Sequence, residues 1–356
     1  MRARKAGLIS LLIACGLLLS GCWDIKDISD RAAIIAMGFD YLPGGKWRVT
    51  TSAALLAQGG SATYTGATHY GDGPNLTDAI EDLRTHLARS IYLGSTKVYV
   101  LGKGVLEAHS TEVLRMLLEH GEVDKTAFVL GTRATAQQLL EHPDKAMGLT
   151  AVRLLKEFET EVESRDGHIK EPLWKTIWGV LNPRDTLHLS VYDVFSKTGV
   201  TANGTALIYG GKLLTILNRE ESVTLRWLLK MPGRNVLPLD PPFEAYALKT
   251  TSVHTATRYD GRTRHIAVHI SAAMEVYTAP SMELPAALLQ RLSQAAAETM
   301  VHRLTALVVK MQAAGADGAL WQNAATQAGY FDFDIRKTSF SVTVQARIAP
   351  HFAPTV

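Results

Sequence analysis

The 356-residue chain holds only two cysteines, Cys15 and Cys22, both close to its start. The rest of the chain therefore has no disulfide framework and no cysteine-based metal site, and its stability has to come from buried apolar surface. An excess of charge of one sign is also lacking. Lys and Arg number 37 against 34 Asp and Glu, a formal net charge of +3. Arg2, Arg4 and Lys5 account for that whole excess, and no Lys/Arg run follows them. The electrostatic footprint of a nucleic-acid-binding protein is thus missing. There is no low-complexity tract, and after Leu19 no apolar run approaches the ~20 residues that a membrane-spanning helix needs.

Catalytic signatures are absent as well. The chain has no H-E-x-x-H, no G-x-S-x-G and no S-x-x-K set. Gly71-Asp72-Gly73 and Gly102-Lys103-Gly104 are too short for phosphate loops and read as turns. His265 and His269 share an i, i+4 spacing, but on a strand that separates them by about 13 Å at ~3.3 Å per residue, too far for one ion. A place on a sheet face is the simpler reading. Asp24, Asp27 and Asp30 read as a solvated acidic tether rather than a cation site. Trp174 and Trp178, also at i, i+4, read as core or helix-packing residues in preference to a partner-facing stripe. No metal, cofactor or catalytic residue is assigned.

The start of the chain carries the sharpest signal. A basic head (Arg2, Arg4, Lys5) leads into the uncharged apolar block Ala6 to Leu19, then into Ser20, Gly21 and Cys22. Head, short apolar core and small residues describe an export signal. Leu19-Ser20-Gly21-Cys22 resembles a bacterial lipobox at all four positions. The resemblance implies a diacylglyceryl group on Cys22, removal of residues 1–21 and an N-terminal acyl chain on the same cysteine. Stable anchoring needs about two buried chains, which a diacylglyceryl group supplies. The mature protein is then expected on the outer face of a membrane, held by lipid and not crossing it.

Hydrophobic residues make up 47% and charged residues 20%, enough apolar surface for two or three domains with real cores. Residues 33–41 and 47–55 read as a strand and its return strand around the turn Pro43-Gly44-Gly45. The Gly/Ser/Thr-rich stretch 57–74 reads as a mobile loop. Asn75 can cap a helix running to about Tyr92, with Gly94 at its C-terminal end. Strands near 96–101 and 126–130 alternate with helices near 113–118 and 136–142, an α/β pattern. Helices at 146–164 and 171–182 and a strand at 187–195 follow. Gly210-Gly211 marks a hairpin over 205–217, and a helix over 220–230 ends before Pro232. A second hairpin turns at Asp260-Gly261. A long helix from Pro285 to about Gln312 then presents Leu289, Leu292, Met300, Leu304, Leu307, Val308 and Met311 on its apolar side. Phe340, Val342, Val344, Ala346 and Ile348 alternate in a closing half-buried strand. The expected fold class is α+β and multidomain: a signal at 1–21, an N-terminal α/β region at 22–195, a hairpin-and-helix segment at 196–240 and a C-terminal α+β domain at 241–356.

GCWDIKDISDRAAIIAMGFD at 21–40 resembles the mature start of the Ger(x)C lipoproteins, the C subunits of spore germinant receptors. The block from ARSIYLGSTKVYVLGKG to ATAQQLLE, then GTALIYGGKLLTILNREESVTLRWLL, then the final SVTVQARI, resemble further segments of that family in the same order. The likeness weakens after about residue 230. It implies an α+β fold without catalytic activity and a place on the outer face of the spore inner membrane. It also implies partnership with a polytopic A-type and a transporter-like B-type subunit in nutrient-triggered germination. Only Cys22 carries over as a functional residue. The competing expectation, a lipid-anchored solute-binding protein of an importer, requires two doubly wound lobes around a cleft.

Overall fold

The computed structural model describes residues 31–56, 64–87, 90–144, 148–159, 169–182, 185–195, 199–231, 235–281 and 283–352. Strand β1 (Arg31–Leu42) turns at Pro43-Gly44-Gly45 into β2 (Lys46–Leu56), and β3 (Tyr64–Gly73) pairs antiparallel with β2. Helix α1 (Leu76–Thr85) is capped by Asn75, whose side chain accepts from the Asp78 amide. Short β4 (Ser90–Tyr92) lies parallel to the first residues of β1, and β5 (Val98–Leu101) parallel to its middle. A π-turn at Val105–His109 opens α2 (Ser110–Glu119), which leads back to β6 (Phe128–Gly131), parallel to β5.

Helix α3 (Ala136–Glu141), the two-residue pair β7 (Pro143–Asp144) and β8 (Gly148–Leu149), and helices α4 (Thr150–Glu159) and α5 (Leu173–Leu181) come before β9 (Leu187–Phe195). β9 lies parallel to β6, and the hairpin of β10 (Gly199–Tyr209) and β11 (Lys212–Leu217) continues the sheet antiparallel. Gly210 and Gly211 at the hairpin tip have φ of 58° and 79°, the left-handed pair that a tight two-residue turn needs. The result is one nine-stranded mixed sheet in the order β11-β10-β9-β6-β5-β1-β2-β3, with β4 beside β1.

Both faces of the central strands are buried, and the period of two decides what lies where. Met37 and Phe39 of β1 and Tyr99 and Leu101 of β5 join a core with Leu83 of α1, Leu114 and Leu117 of α2, and Leu173 of α5. Their neighbours Ala36, Val98 and Val100 face the other way, onto Leu139 and Leu140 of α3 and Leu154 of α4.

Helix α6 (Arg219–Leu228) starts in a capping box of Asn218 and Glu221. A second sheet follows, in the order β12 (Val236–Pro238), β13 (Ala247–Asp260), β14 (His265–Thr278), β15 (Ser339–Phe352). Helix α7 (Ala286–Ala314) makes the crossover from β14 to the parallel β15 and ends at Gly315 in the left-handed region. Ile266, Val268, Ile270, Met274 and Val276 of β14 meet Leu292, Met300, Leu304, Leu307, Val308 and Met311 of α7 in a third core. Leu289, placed on the same side by its spacing, is half-buried. Helix α8 (Trp321–Gln327) packs Trp321 and Ala325 inward. The fold is the expected α+β class, with mixed sheets and a long C-terminal helix followed by a strand. Two doubly wound lobes are not found among the described residues.

Three local expectations are corrected. Residues 64–73 form strand β3, not a mobile loop; 57–63 lie outside the described residues. The glycines that suggested a loop are there because α1 lies directly on the strand. A Cβ on Gly71 would come 2.1 Å from the Leu83 amide nitrogen, and one on Gly73 would come 2.5 Å from that of Ala79. Gly71-Asp72-Gly73 is consequently strand and not turn. Helix α1 ends at Thr85, and Ser90–Tyr92 is strand, so Gly94 sits in a 3₁₀ turn rather than capping α1.

Leu304 is fully buried between α7 and the second sheet, whereas Val309 on the same helix is 54% exposed. Leu304→Ala is expected to lower unfolding free energy by about 2–5 kcal/mol. Val309→Ala should stay within about 0.5 kcal/mol of the parent. Urea unfolding followed by circular dichroism checks both; equal losses would contradict the burial pattern.

Candidate functional site

Cys22 and the lipobox residues Leu19, Ser20 and Gly21 lie outside the described residues, as do Asp24, Asp27 and Asp30. His265 and His269 lie on the open face of the second sheet. The His265 ring is 2.9 Å from the hydroxyls of Ser339 and Ser341, and His269 is 2.9 Å from that of Thr343. Each is tied to β15, as a sheet-face role requires. Among the described residues no three metal-ligating side chains converge. The expected core role of Trp174 and Trp178 is overturned: they are 57% and 61% exposed and contribute nothing to a core. The same helix buries Leu173, Thr176 and Ile177 instead, so the tryptophans fall on its outer flank.

Two places bring polar side chains together. The first is a cleft beyond the carboxyl ends of β1, β5 and β6. After β5 the chain turns toward α2 on one face of the sheet, and after β6 toward α3 on the other. Diverging connections of this kind open a crevice at the strand ends. Asp40, Pro43, Lys103, His109, Arg133 and Gln138 line it, around a volume of about 610 Å³. Asp40 is buried and accepts from the amides of Ala136 (2.7 Å) and Gln137 (3.0 Å). Burial raises its pKa, against those two amides and Arg48. Gly102 of the Gly102-Lys103-Gly104 turn leaves room for it, since a Cβ there would fall 1.8 Å from Asp40 Oδ1.

The carboxylate of Asp40 thereby occupies the start of α3, which a bound anion would otherwise use. The cations at the rim are engaged too. Arg133 pairs with Asp193, and Lys103 lies 3.8 Å from Glu107. Arg48 grips both oxygens of Asp72 at 2.7 and 2.8 Å, and holds that carboxyl down at about 2. The cleft is a braced loop junction, with its charges committed to internal partners.

The second place is the joint between the two sheets. His188 of β9 is buried, and its Nε2 lies 2.6 Å from the carbonyl of Gly318, in the loop between α7 and α8. A carbonyl can only accept, so Nε2 carries the hydrogen and Nδ1 faces Glu171 at 3.9 Å. Glu171 in turn accepts from Lys175 at 2.8 Å. Beside Gly318, Asp317 accepts from the amides of Trp321 (2.9 Å) and Gln322 (2.7 Å) and starts α8. Burial pushes Asp317 up to about 6, against those two amides, and the charge of Asp185 adds to the rise. Burial lowers the pKa of His188, with Glu171 and the Gly318 carbonyl opposing. The joint is buried and polar, and it bonds a strand of one unit to a loop of the other. Sequence spacing gave no hint of it, because His188 and Gly318 lie 130 residues apart.

Comparison with known proteins agrees with this architecture. Two family models match in succession: a spore germination protein N-terminal domain over residues 24–193, and a spore germination B3/GerAC-like C-terminal domain over 203–349. The chain belongs to the Ger(x)C family of spore germination proteins. Among its Bacillus subtilis relatives, spore germination protein B3 is 21% identical over 66% of this chain and 64% of its own length. Spore germination protein KC is 26% identical over 42% of this chain and 37% of its own. The matches span less than two thirds of the curated relatives' own lengths. The crystal structure of the GerBC protein shares the fold, with a TM-score of 0.57 at 15% identity over 91% of this chain and 99% of that one.

The joint gives this Ger(x)C chain an opposed pH response. Folded Asp317 titrates near 6, whereas the unfolded carboxyl titrates near 3.8, so the folded state holds more protons between those values. Its contribution therefore falls as pH rises toward 6. His188 works in reverse: the unfolded imidazole, with its pKa of 6.5, holds more protons than the folded one, so its contribution grows as pH rises through that range. Asp317→Asn removes only the falling part. Its stability, relative to the parent, should climb by about 2–3 kcal/mol between pH 4 and 6, since each tenfold change in proton affinity is worth about 1.36 kcal/mol. Urea midpoints at three pH values measure this, and a pH-independent difference would show that the carboxyl is not held in a buried site.

Proposed function

We propose that this chain is a non-catalytic, lipid-anchored subunit of a spore nutrient germinant receptor. One observation carries the reading: two germination-family segments follow one another along the chain, the first starting two residues after Cys22. In this reading residues 1–21 are removed, Cys22 carries the lipid, and the folded part sits on the outer face of the spore inner membrane. Its partners are a polytopic A-type and a transporter-like B-type subunit, and assembly with them is what nutrient-triggered germination requires of it.

The described geometry suits a scaffold. The charges of the cleft and of the joint are spent on internal pairs, which favours holding a shape over turning over a substrate. No described helix is long and apolar enough to cross a membrane; in this reading attachment rests on Cys22. A scaffold of this kind acts by contacting one state of its membrane partners better than another.

The test is affinity purification of the tagged lipoprotein from detergent-solubilised spore membranes, with mass spectrometry of what accompanies it. Two polytopic proteins, one of them transporter-like, are expected; an importer permease with an ATPase would move the chain to the solute-binding class. Cys22→Ala spores are expected to lose nutrient-triggered germination. A wild-type rate at wild-type protein level would show the anchor to be dispensable.

A further inference from the structure

Helix α5 is out of keeping with the other described helices. Its inner side, Leu173, Thr176 and Ile177, is buried in the core beneath the large sheet. Its outer side carries Trp174, Trp178 and Leu181 at i, i+4 and i+7, exposed by 57%, 61% and 54%. At 3.6 residues per turn these three form one stripe along the helix. Single exposed apolar residues are ordinary on a protein surface. Phe331 of a loop, Val309 of α7 and Tyr70 of β3 are such cases. Two tryptophans and a leucine in line are not. The described tryptophans elsewhere, Trp47, Trp227 and Trp321, are all buried.

The position of the stripe says what covers it. The amides of Leu173 and Trp174 donate to the carbonyls of Ala127 and Lys125, just before β6 begins. Further along α5, Gly179 packs on Leu187, the first residue of β9. The helix therefore runs along the edge where the parallel strands start. β1 starts at that same edge, two strands from β6, or about 10 Å at ~4.8 Å per strand. Counted from the level of Phe128, which aligns through Val98 with Ala36, β1 projects a further five residues outward to Arg31, about 16 Å at ~3.3 Å each. From Arg31 the chain leads back to Cys22 in nine residues, a reach of at most about 30 Å. The first described residue, Arg31, from which Cys22 is within that reach, and the tryptophan stripe thus share one edge of the molecule.

The geometry points to α5 as a second membrane contact, laying Trp174, Trp178 and Leu181 into the headgroup boundary of the bilayer that holds Cys22. Trp suits that boundary, since its ring is apolar and its N–H still reaches water or headgroups. A tethered protein with one interfacial helix has a fixed tilt, whereas one held by lipid alone swivels. The cleft at the opposite, carboxyl ends of the parallel strands would then face away from the bilayer in a defined direction. The inference rests on the anchoring of Cys22 proposed above, and its test separates the two.

The acylated mature chain, beginning at Cys22 and carrying Trp23→Phe, is reconstituted into phosphatidylethanolamine/phosphatidylglycerol vesicles with and without brominated acyl chains. Flotation reports anchoring, and quenching of tryptophan emission reports contact with lipid. Flotation together with quenching that is mostly lost in Trp174→Phe/Trp178→Phe is the expected result. Phe keeps the stripe apolar and the inner side of α5 intact, so folding, checked by circular dichroism, is retained. Flotation without quenching overturns the docking of α5 and leaves the anchor standing. Quenching that survives the double substitution also overturns it, because the contact then lies elsewhere. Absence of flotation overturns the anchor and the docking together. Quenching that is absent in pure vesicles, combined with shielding of the two tryptophans by co-reconstituted polytopic subunits, would assign the stripe to a protein partner and overturn the lipid assignment.

Discussion

The structure depends on the burial of β1, β5 and β6 on both faces. Parallel strands joined by helical crossovers have no side to leave in water. Met37 and Phe39 point to one layer of helices and Ala36 to the other, with Tyr99, Leu101, Val98 and Val100 repeating the division on β5. With no cross-link described in the fold, this two-sided packing is what holds α1, α2 and α5 on one side and α3 and α4 on the other. It also aligns the strand ends. The carboxyl ends open into the cleft around Asp40, while the amino ends share an edge with α5.

The buried polar groups follow from the same packing. Asp40 reaches the first turn of α3 because β1 and α3 sit in adjacent layers, and its carboxylate satisfies two amides that the helix cannot satisfy itself. His188 is fixed to Gly318 where the large sheet meets the loop after α7. Gly318 has no side chain there because a Cβ would meet Met311 at 2.8 Å and Leu207 at 2.9 Å. Leu207 belongs to β10 of the large sheet yet lies in the core of the second unit. Apolar contact and oriented hydrogen bonds, His188 to Gly318 and Lys310 to the Ile216 carbonyl, thus join the same two units.

The two units divide the surface between them. The edge where the parallel strands start carries Arg31 and the exposed face of α5. The large sheet, with β10 and α6, leads into a second unit whose open sheet face is polar, bearing His265, His269, Ser341 and Thr343.

Local pattern was enough for much of this. Strand-like runs beside turn residues announced β1 and β2, alternation announced β15, the Gly210-Gly211 and Asp260-Gly261 turns announced their hairpins, and the spacing from Leu292 to Met311 announced the buried side of α7. The family resemblance was likewise legible, because it is written in contiguous residues. Tertiary packing decided the rest. Gly71 and Gly73 looked like loop residues because the helix that requires them to lack side chains is close in space only once the chain has folded. Trp174 and Trp178 looked like core because apolar spacing on a helix does not say which of its flanks meets the sheet; Leu173 and Ile177 took that place. His188, Gly318 and Asp317 form a joint only because two sheets meet there, and no spacing along a chain encodes a contact between residues that far apart.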